Sequence, residues 1–360
     1  MIYLDYNAST PLRPQAKDAM AEVLEWTGNP SSPHGAGRRL RAVIDEARKT
    51  ISDFTGAQRV VFTSGGTEAN AFVLNHFAKG PLLVSSLEHD SMLKNAVNPY
   101  IVPSTKEGVI DLNALDKQLT SFTSPGLLSM MLVNNETGII QPVQEAARLA
   151  RSRGWRVHTD GIQAIGHVPL SLETLGVDFM TLSAHKCGGP IGIGALVMRE
   201  ETHLNPLIRG GGQEYGMRSG TLSAPLAAGF GMALRASLKD DLTALATFQQ
   251  QIEENLPDAI IYGKQAPRVA NTVCLGMPGV PIELQLMAFD LKGIAVGAGA
   301  ACSSGTMKPS HVLVAMGCSQ QEAQSALRVS MGWNTKGSDI DAFIKGWKEI
   351  YAKPSLKEAS

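Results

Sequence analysis

The sequence predicts an α/β protein: a mainly parallel central sheet with helices on both faces, plus a smaller α+β unit. Three observations predict it. In the middle of the chain, short apolar runs alternate with helical stretches, the pattern of parallel strands joined by crossover helices. Many of the 36 glycines stand at the junctions between the two rather than in a low-complexity tract. From about Asp240 onward the pattern changes to a long polar helix followed by short strands. A chain of 360 residues also exceeds one ordinary domain.

The elements follow in order. Residues 60–63 read as a strand, then the turn 64–67 leads into a helix from Glu68. Strands at 82–85 and 127–133 run ahead of His89 and of Asn134 and Asn135. A helix spans 143–153, with Gly154 as its stop. Strands at 155–160, 178–183 and 195–198 complete the series. The polar candidates lie at the C-terminal ends of these strands, where open α/β sheets bind ligands. Further on, a helix at 241–256 ends at Pro257, strands occupy 259–262 and 271–275, a helix begins at Ile282, and a terminal helix covers 338–351. The expected division is a large domain of residues 13–245 and a small one made of 1–12 and 246–360.

Composition narrows the function. With 44% hydrophobic and 18% charged residues the chain has the make-up of a soluble globular enzyme. Its net charge of −1 and the lack of a basic stripe give no reason to expect nucleic acid or an anionic membrane as partner. The N-terminus has no basic segment followed by an apolar core, so no signal peptide is expected. The apolar stretch from Ala224 to Leu234 is too short, and too broken by glycine, to span a membrane. Cysteines at 187, 274, 302 and 318 form no CxxC pair, which argues against a zinc site or a disulfide framework. A reducing cytoplasm is the expected location.

The chemistry gathers around two strand ends. Lys186 closes the 178–183 strand and is followed by Gly188, Gly189, Gly192 and Gly194; Asp160 closes the 155–160 strand. A strand-end lysine and a strand-end carboxylate suit a pyridine cofactor: the amine forms a Schiff base with an aldehyde, and the carboxylate keeps the ring nitrogen protonated. The turn SGGTEAN at 64–70 offers free N–H groups and a helix dipole to a phosphate, and Thr67 adds a hydroxyl. A simple capped helix start, with Ser64 or Thr67 as cap, is the competing reading. Neither a P-loop nor a GxGxxG dinucleotide fingerprint is present. A phosphate cradle without nucleotide motifs, together with the Lys186–Asp160 pair, points to pyridoxal 5′-phosphate. His89 suits stacking on the ring and proton transfer, although a structural histidine is the alternative. Asn135 and Gln163 can reach the ring's phenolic oxygen, and Ser183, His185 and Thr221 are candidate phosphate donors. Arg328, in an apolar strand-like segment, offers a planar fork for a substrate carboxylate. Cys302 lies in a stretch of glycine and small residues that suits a thiol serving two positions; a small residue in a tight loop is the competing reading.

The motifs LDYNASTP (4–11), GNPSSPH (28–34), TSGGTE (63–68), VNNETG (133–138), SAHK (183–186), GGGQEYGMRSGT (210–221) and AACSSG (300–305) resemble those of the cysteine desulfurases. These are class V aminotransferase enzymes of the pyridoxal-phosphate group, with fold type I. The likeness runs in order from Tyr3 to about Trp333. It implies that Lys186 carries the cofactor, Asp160 meets the ring nitrogen and His89 stacks on the ring. Gly66, Thr67, Ser183 and His185 would hold the phosphate, with Thr221 contributed by a neighbouring protomer, hence a homodimer. Arg328, with Asn135, would bind the substrate, and Cys302 would be the reactive thiol, carried in the small domain.

The resemblance further implies that L-cysteine gives up its α-proton to Lys186 and its sulfur to Cys302, leaving alanine and a Cys302 persulfide. The persulfide would pass to a sulfur-acceptor protein, an iron–sulfur scaffold or another sulfur carrier, and any iron–sulfur contact at Cys302 would be transient. Two departures stand out. Gly297, Ala298 and Ala300 replace serines that many members carry before the cysteine, and the sequence ends soon after the terminal helix, without the longer tail some members use to meet a scaffold. The rival readings are a selenocysteine lyase, another carbon–sulfur lyase or an aminotransferase on the same scaffold, or a non-catalytic sulfur-assembly partner.

Overall fold

The strands of this computed structural model form two sheets; residues 1–199, 202, 204–299 and 308–353 are described. In chain order the strands are β1 (Ile2–Leu4), β2 (Arg59–Thr63), β3 (Leu82–Ser85), β4 (Tyr100–Val102), β5 (Leu127–Met131) and β6 (Arg156–Asp160). There follow β7 (Phe179–Ser183), β8 (Gly194–Met198), β9 (Ile260–Ile261), β10 (Thr272–Gly276), β11 (Ile294–Ala298) and β12 (Ala326–Ser330). The larger sheet has the order β2-β8-β7-β6-β5-β3-β4. Strands β3 to β7 run parallel, and only β8 is antiparallel to its neighbours β2 and β7. The mainly parallel sheet expected from the sequence is therefore present. Strands β5, β7 and β8 are buried along their whole length, which is why they read as continuous apolar runs rather than as alternating ones.

Helices cover this sheet: α1 (Pro14–Leu24), α2 (Gly35–Thr55), α3 (Gly66–Phe77), α4 (Asp90–Leu93), α5 (Leu112–Ser121), α6 (Val143–Arg151), α7 (Leu172–Leu175) and α8 (Ala224–Ser237). The apolar 224–234 stretch lies in α8, which packs on α1 and α2. Gly231 lets it come close to α2, since a Cβ there would lie 3.2 Å from the Ala47 Cα. Helix α3 packs on β7 and β8. Gly194 matters for this packing, because a Cβ at that position would stand 2.7 Å from the Gly65 carbonyl carbon and 2.8 Å from the Leu182 oxygen. The turn that opens α3 thus lies directly on the sheet.

Local chemistry moved several boundaries. Strand β5 stops at Met131, short of 133, because the Asn134 side-chain oxygen accepts the N–H groups of Glu136 and Thr137, each at 2.9 Å, and turns the chain. Asp178 is not in β7; it accepts the Val157 N–H at 2.8 Å and pairs with Arg156 at 2.9 Å. Helix α6 ends at Arg151, and Gly154 takes a left-handed φ of 77° just beyond it.

The second sheet has the order β1-β11-β12-β10-β9, with β1 parallel to β11 and the other pairs antiparallel. Helices α9 (Leu242–Asn255), α10 (Ile282–Asp290), α11 (His311–Ala315), α12 (Gln320–Gln324) and α13 (Gly337–Tyr351) accompany it. Its core joins Leu4 to Leu245, Ile252, Leu275, Val329 and Trp347, with Phe289 stacked on Phe343 at 5.2 Å. Among the described residues no helix is long and apolar enough to cross a membrane.

Candidate active site

A cavity of about 370 Å³ opens where the C-terminal ends of β3, β5, β6 and β7 meet the second sheet. Gly66, Thr67, His89, Asn135, Asp160, Gln163, Ser183, His185, Lys186 and Arg328 all line it. Ten of the residues picked out from the sequence, spread from 66 to 328, are thus brought together. Thr221 is not among them: it is exposed, outside this cavity, in the chain that carries it. Cys302 lies outside the described residues.

Lys186 follows β7 on a single turn of 3₁₀ helix, Ala184–Lys186. Its Nζ donates to the backbone oxygens of Asn7 and Ala8, the latter at 3.0 Å. Burial, and then the positive charge of Arg328, lower its pKa to about 8, although Asp5 and Asp160 oppose the change. The neighbouring His185 is held down at about 4 by burial and by Lys186, so at neutral pH its ring is uncharged.

Asp160, 5% exposed, closes β6. Its Oδ2 accepts from Asn70 Nδ2 at 2.8 Å and its Oδ1 from the Ile162 N–H at 2.9 Å. Burial raises the carboxyl above its ordinary range, and these hydrogen bonds and the charges of His89 and Lys186 offset only part of that rise. Asn70 also donates to Ser91 Oγ at 2.9 Å, and Ser91 holds His89: its N–H donates to Nδ1 at 3.0 Å, with Oγ 2.9 Å from the same nitrogen. An Nδ1 that accepts a backbone N–H leaves the proton of a neutral ring on Nε2. The chain His89–Ser91–Asn70–Asp160 therefore fixes His89, at the start of α4, relative to Asp160 at the end of β6. Nearby, Glu88 is fully buried, and burial raises its carboxyl well above the usual range, against the Met131 N–H that donates to its Oε1 at 2.6 Å.

Arg328 comes from β12 in the second sheet. Its Nη2 donates to Asp5 Oδ1 at 2.7 Å and its Nη1 to the Asn135 backbone oxygen at 3.0 Å, while Nε is buried with no partner among the described residues. Gly297 lies against this pair: a Cβ there would stand 2.5 Å from Asp5 Oδ1 and 2.7 Å from Arg328 Nη2. Asn7 ties the parts together. Its Nδ2 donates to Thr272 Oγ1 at 2.9 Å and to the Asn135 oxygen at 3.1 Å, and its own backbone oxygen accepts from Gln163 Nε2 at 2.9 Å and from Lys186.

At the opposite end of the cavity, α3 begins with Gly65 at its N-cap and no side-chain cap. Neither Ser64 nor Thr67 caps the helix, so the capped-start reading fails and the first N–H groups are left for another acceptor. Of the cysteines, burial pushes Cys187 up to about 12 and raises Cys274 and Cys318 as well. None of these three is a ready thiolate.

The profile of the class-V aminotransferases matches residues 2–343. The chain belongs to this family. Its curated relatives include the cysteine desulfurase IscS of Dictyoglomus turgidum, 37% identical over 98% of this chain and 95% of that protein. A cysteine desulfurase of Cereibacter sphaeroides is also 37% identical, over 96% of this chain and 94% of its own length. Among solved structures, a NifS-like protein from Rickettsia africae superposes with a TM-score of 0.93 at 32% identity, covering 98% of this chain and all of the other. The fold is thus that of the fold type I enzymes of the class-V aminotransferases. For this family member, sequence reasoning missed Asn7, Asp5, Asn70 and Ser91. Asp5, Asn7 and Asn70 stand inside motifs quoted above and Ser91 lies two residues beyond His89; a short polar side chain was their only signal.

Proposed function

We infer that the protein is a cysteine desulfurase that uses pyridoxal phosphate to take sulfur from L-cysteine and release L-alanine. The observation that carries this is the meeting, in one cavity, of an amine with a pKa of about 8 and a buried carboxylate held by neutral donors. The residues present fit the cofactor. Lys186 has the free amine its aldehyde needs, Asp160 faces the cavity between two hydrogen-bond donors, and the uncapped start of α3 suits its phosphate. Gly66, Thr67, Ser183 and His185 would hold the phosphate, and Asn135 and Gln163 would stand by the ring. Bound there, pyridoxal phosphate would supply an electron sink for the electrons freed at the substrate's α-carbon.

The chain's own residues do the rest. Arg328 holds the α-carboxylate of L-cysteine, and Asp5 and Asn135 fix its guanidinium for that task. Lys186 removes the α-proton, for which a lowered pKa suits it. Asp160 keeps a proton on the ring nitrogen, oriented by Asn70. His89, its Nδ1 occupied by Ser91, offers Nε2 for proton transfer near the leaving sulfur. The Cys302 thiolate takes the substrate's sulfur: the carbon–sulfur bond breaks, a sulfur–sulfur bond forms, and the carbon skeleton leaves as alanine after protonation. Burial raises the thiols of Cys187, Cys274 and Cys318, which makes them poor candidates for this step.

The persulfide then passes to an acceptor protein that builds iron–sulfur clusters or other sulfur-containing cofactors. We assign Thr221 to the phosphate site of a partner protomer in a homodimer, residues 1–12 and 246–360 to a small domain, 13–245 to a large one, and the protein to the cytoplasm. The test is alanine formation from L-cysteine by the protein loaded with pyridoxal phosphate, beside Lys186→Ala. Alanine from the first alone is the expected result; a loaded protein that consumes no cysteine would refute the reading.

A further inference from the structure

Residues 210–221 hold an unusual backbone. Glu214 and Tyr215 are both left-handed, with φ of 47° and 60°, a region residues with side chains seldom enter. Two carboxylate clasps keep the segment in place. Glu214, 6% exposed, receives Arg48 Nη2 at 2.6 Å, Arg48 Nη1 at 3.0 Å and the Phe62 N–H at 2.6 Å. Glu68 receives Arg218 Nε at 2.8 Å, Arg218 Nη2 at 3.2 Å and the Ser64 N–H at 2.7 Å. Each acid thus joins an arginine fork to a backbone amide, one in β2 and the other in the turn that leads to Gly66 and Thr67.

The second clasp stands where charge matters. Glu68 follows Thr67 in the first turn of α3, whose uncapped N-terminus is the proposed phosphate cradle. Burial raises the Glu68 carboxyl, but its hydrogen bonds with Arg218 and Ser64 bring it below the usual range. It is therefore charged at neutral pH. A free carboxylate there would compete with a phosphate for the same N–H groups and helix dipole. The Arg218 fork cancels that charge while the Ser64 N–H holds the carboxylate, and neither Glu68 nor Ser64 lines the cavity that Gly66 and Thr67 line.

We propose that Arg218 and Glu68 are a positioning pair for the cofactor's phosphate: Arg218 neutralises Glu68 and holds it on the Ser64 amide, which leaves the start of α3 to the phosphate. The proposal rests on the functional reading above. Its test measures release of pyridoxal phosphate, followed by the absorbance of the bound cofactor, from the unaltered protein, from Arg218→Ala and from Arg218→Ala with Glu68→Gln. Arg218→Ala is expected to lose the cofactor about tenfold faster, the scale of one charge-assisted contact. The double variant should return to within about twofold of the unaltered protein, because glutamine still accepts from Ser64 but carries no charge. If Arg218→Ala fails to fold, Arg218→Lys takes its place and must hold the cofactor like the unaltered protein. Release from Arg218→Ala at the unaltered rate, or a double variant as leaky as the single one, would overturn the pair. An unaltered protein that takes up no pyridoxal phosphate would instead overturn the functional reading.

Discussion

A lysine at the end of a buried strand is worth little as a surface charge and a good deal as an amine. With a pKa of about 8, roughly a tenth of Lys186 is unprotonated at pH 7, against well under ~1% of an ordinary lysine. Only the neutral amine reacts with an aldehyde, so a lowered pKa brings reactivity down into the neutral range. The rate at which cofactor-free protein takes up pyridoxal phosphate should rise about fivefold from pH 7 to pH 8 and level off above about pH 9. Stopped-flow absorbance reads this directly; a rate still climbing at pH 10 would make Lys186 an ordinary amine. Lys186 and Asp160 were legible because each stands at the end of a strand-like run with glycine one or two residues on. Asn70 and Asn7 were not. Their partners lie 90 residues away at Asp160 and 265 residues away at Thr272, and no local pattern records a contact at that range.

Strand β11 shows how one backbone position serves a side chain elsewhere. Alanine at Gly297 would collide with Asp5 Oδ1 and the Arg328 guanidinium, both of which are side-chain ends, not backbone. The strand should therefore survive the change while the guanidinium moves. Gly297→Ala is expected to raise KM for L-cysteine about tenfold, the loss of one charge-assisted hydrogen bond, with the melting temperature little changed. Steady-state kinetics beside thermal unfolding would separate this from plain destabilisation, which would lower the melting temperature and leave KM alone. The parallel strands were readable from their apolar runs. Helices α1 and α2 were not assigned because α8, their packing partner, begins 200 residues beyond the end of α1 and 169 beyond that of α2, and reads in sequence only as a short apolar stretch. Strand β1 was missed for a similar reason: three residues gain strand character only by pairing with β11.

The molecule brings two sheets to one cavity. Lys186 and Asp160 come from the larger sheet, Arg328 from the smaller, and the first seven residues run from β1 in the smaller sheet to Asn7, which bonds to both sides. Under the proposed function the substrate's carboxylate and its reacting carbon would be governed by different sheets, and the cavity lies where the two meet. Residues 300–307, Cys302 among them, follow β11 in sequence and lie outside the described residues. The central claim is that Cys302 is the acceptor of that sulfur. The measurement that tests it most directly is alanine formed from L-cysteine under anaerobic, reducing conditions by the unaltered protein and by Cys302→Ala, both loaded with pyridoxal phosphate. The account predicts alanine from the first and almost none from the second; equal alanine from both would contradict it.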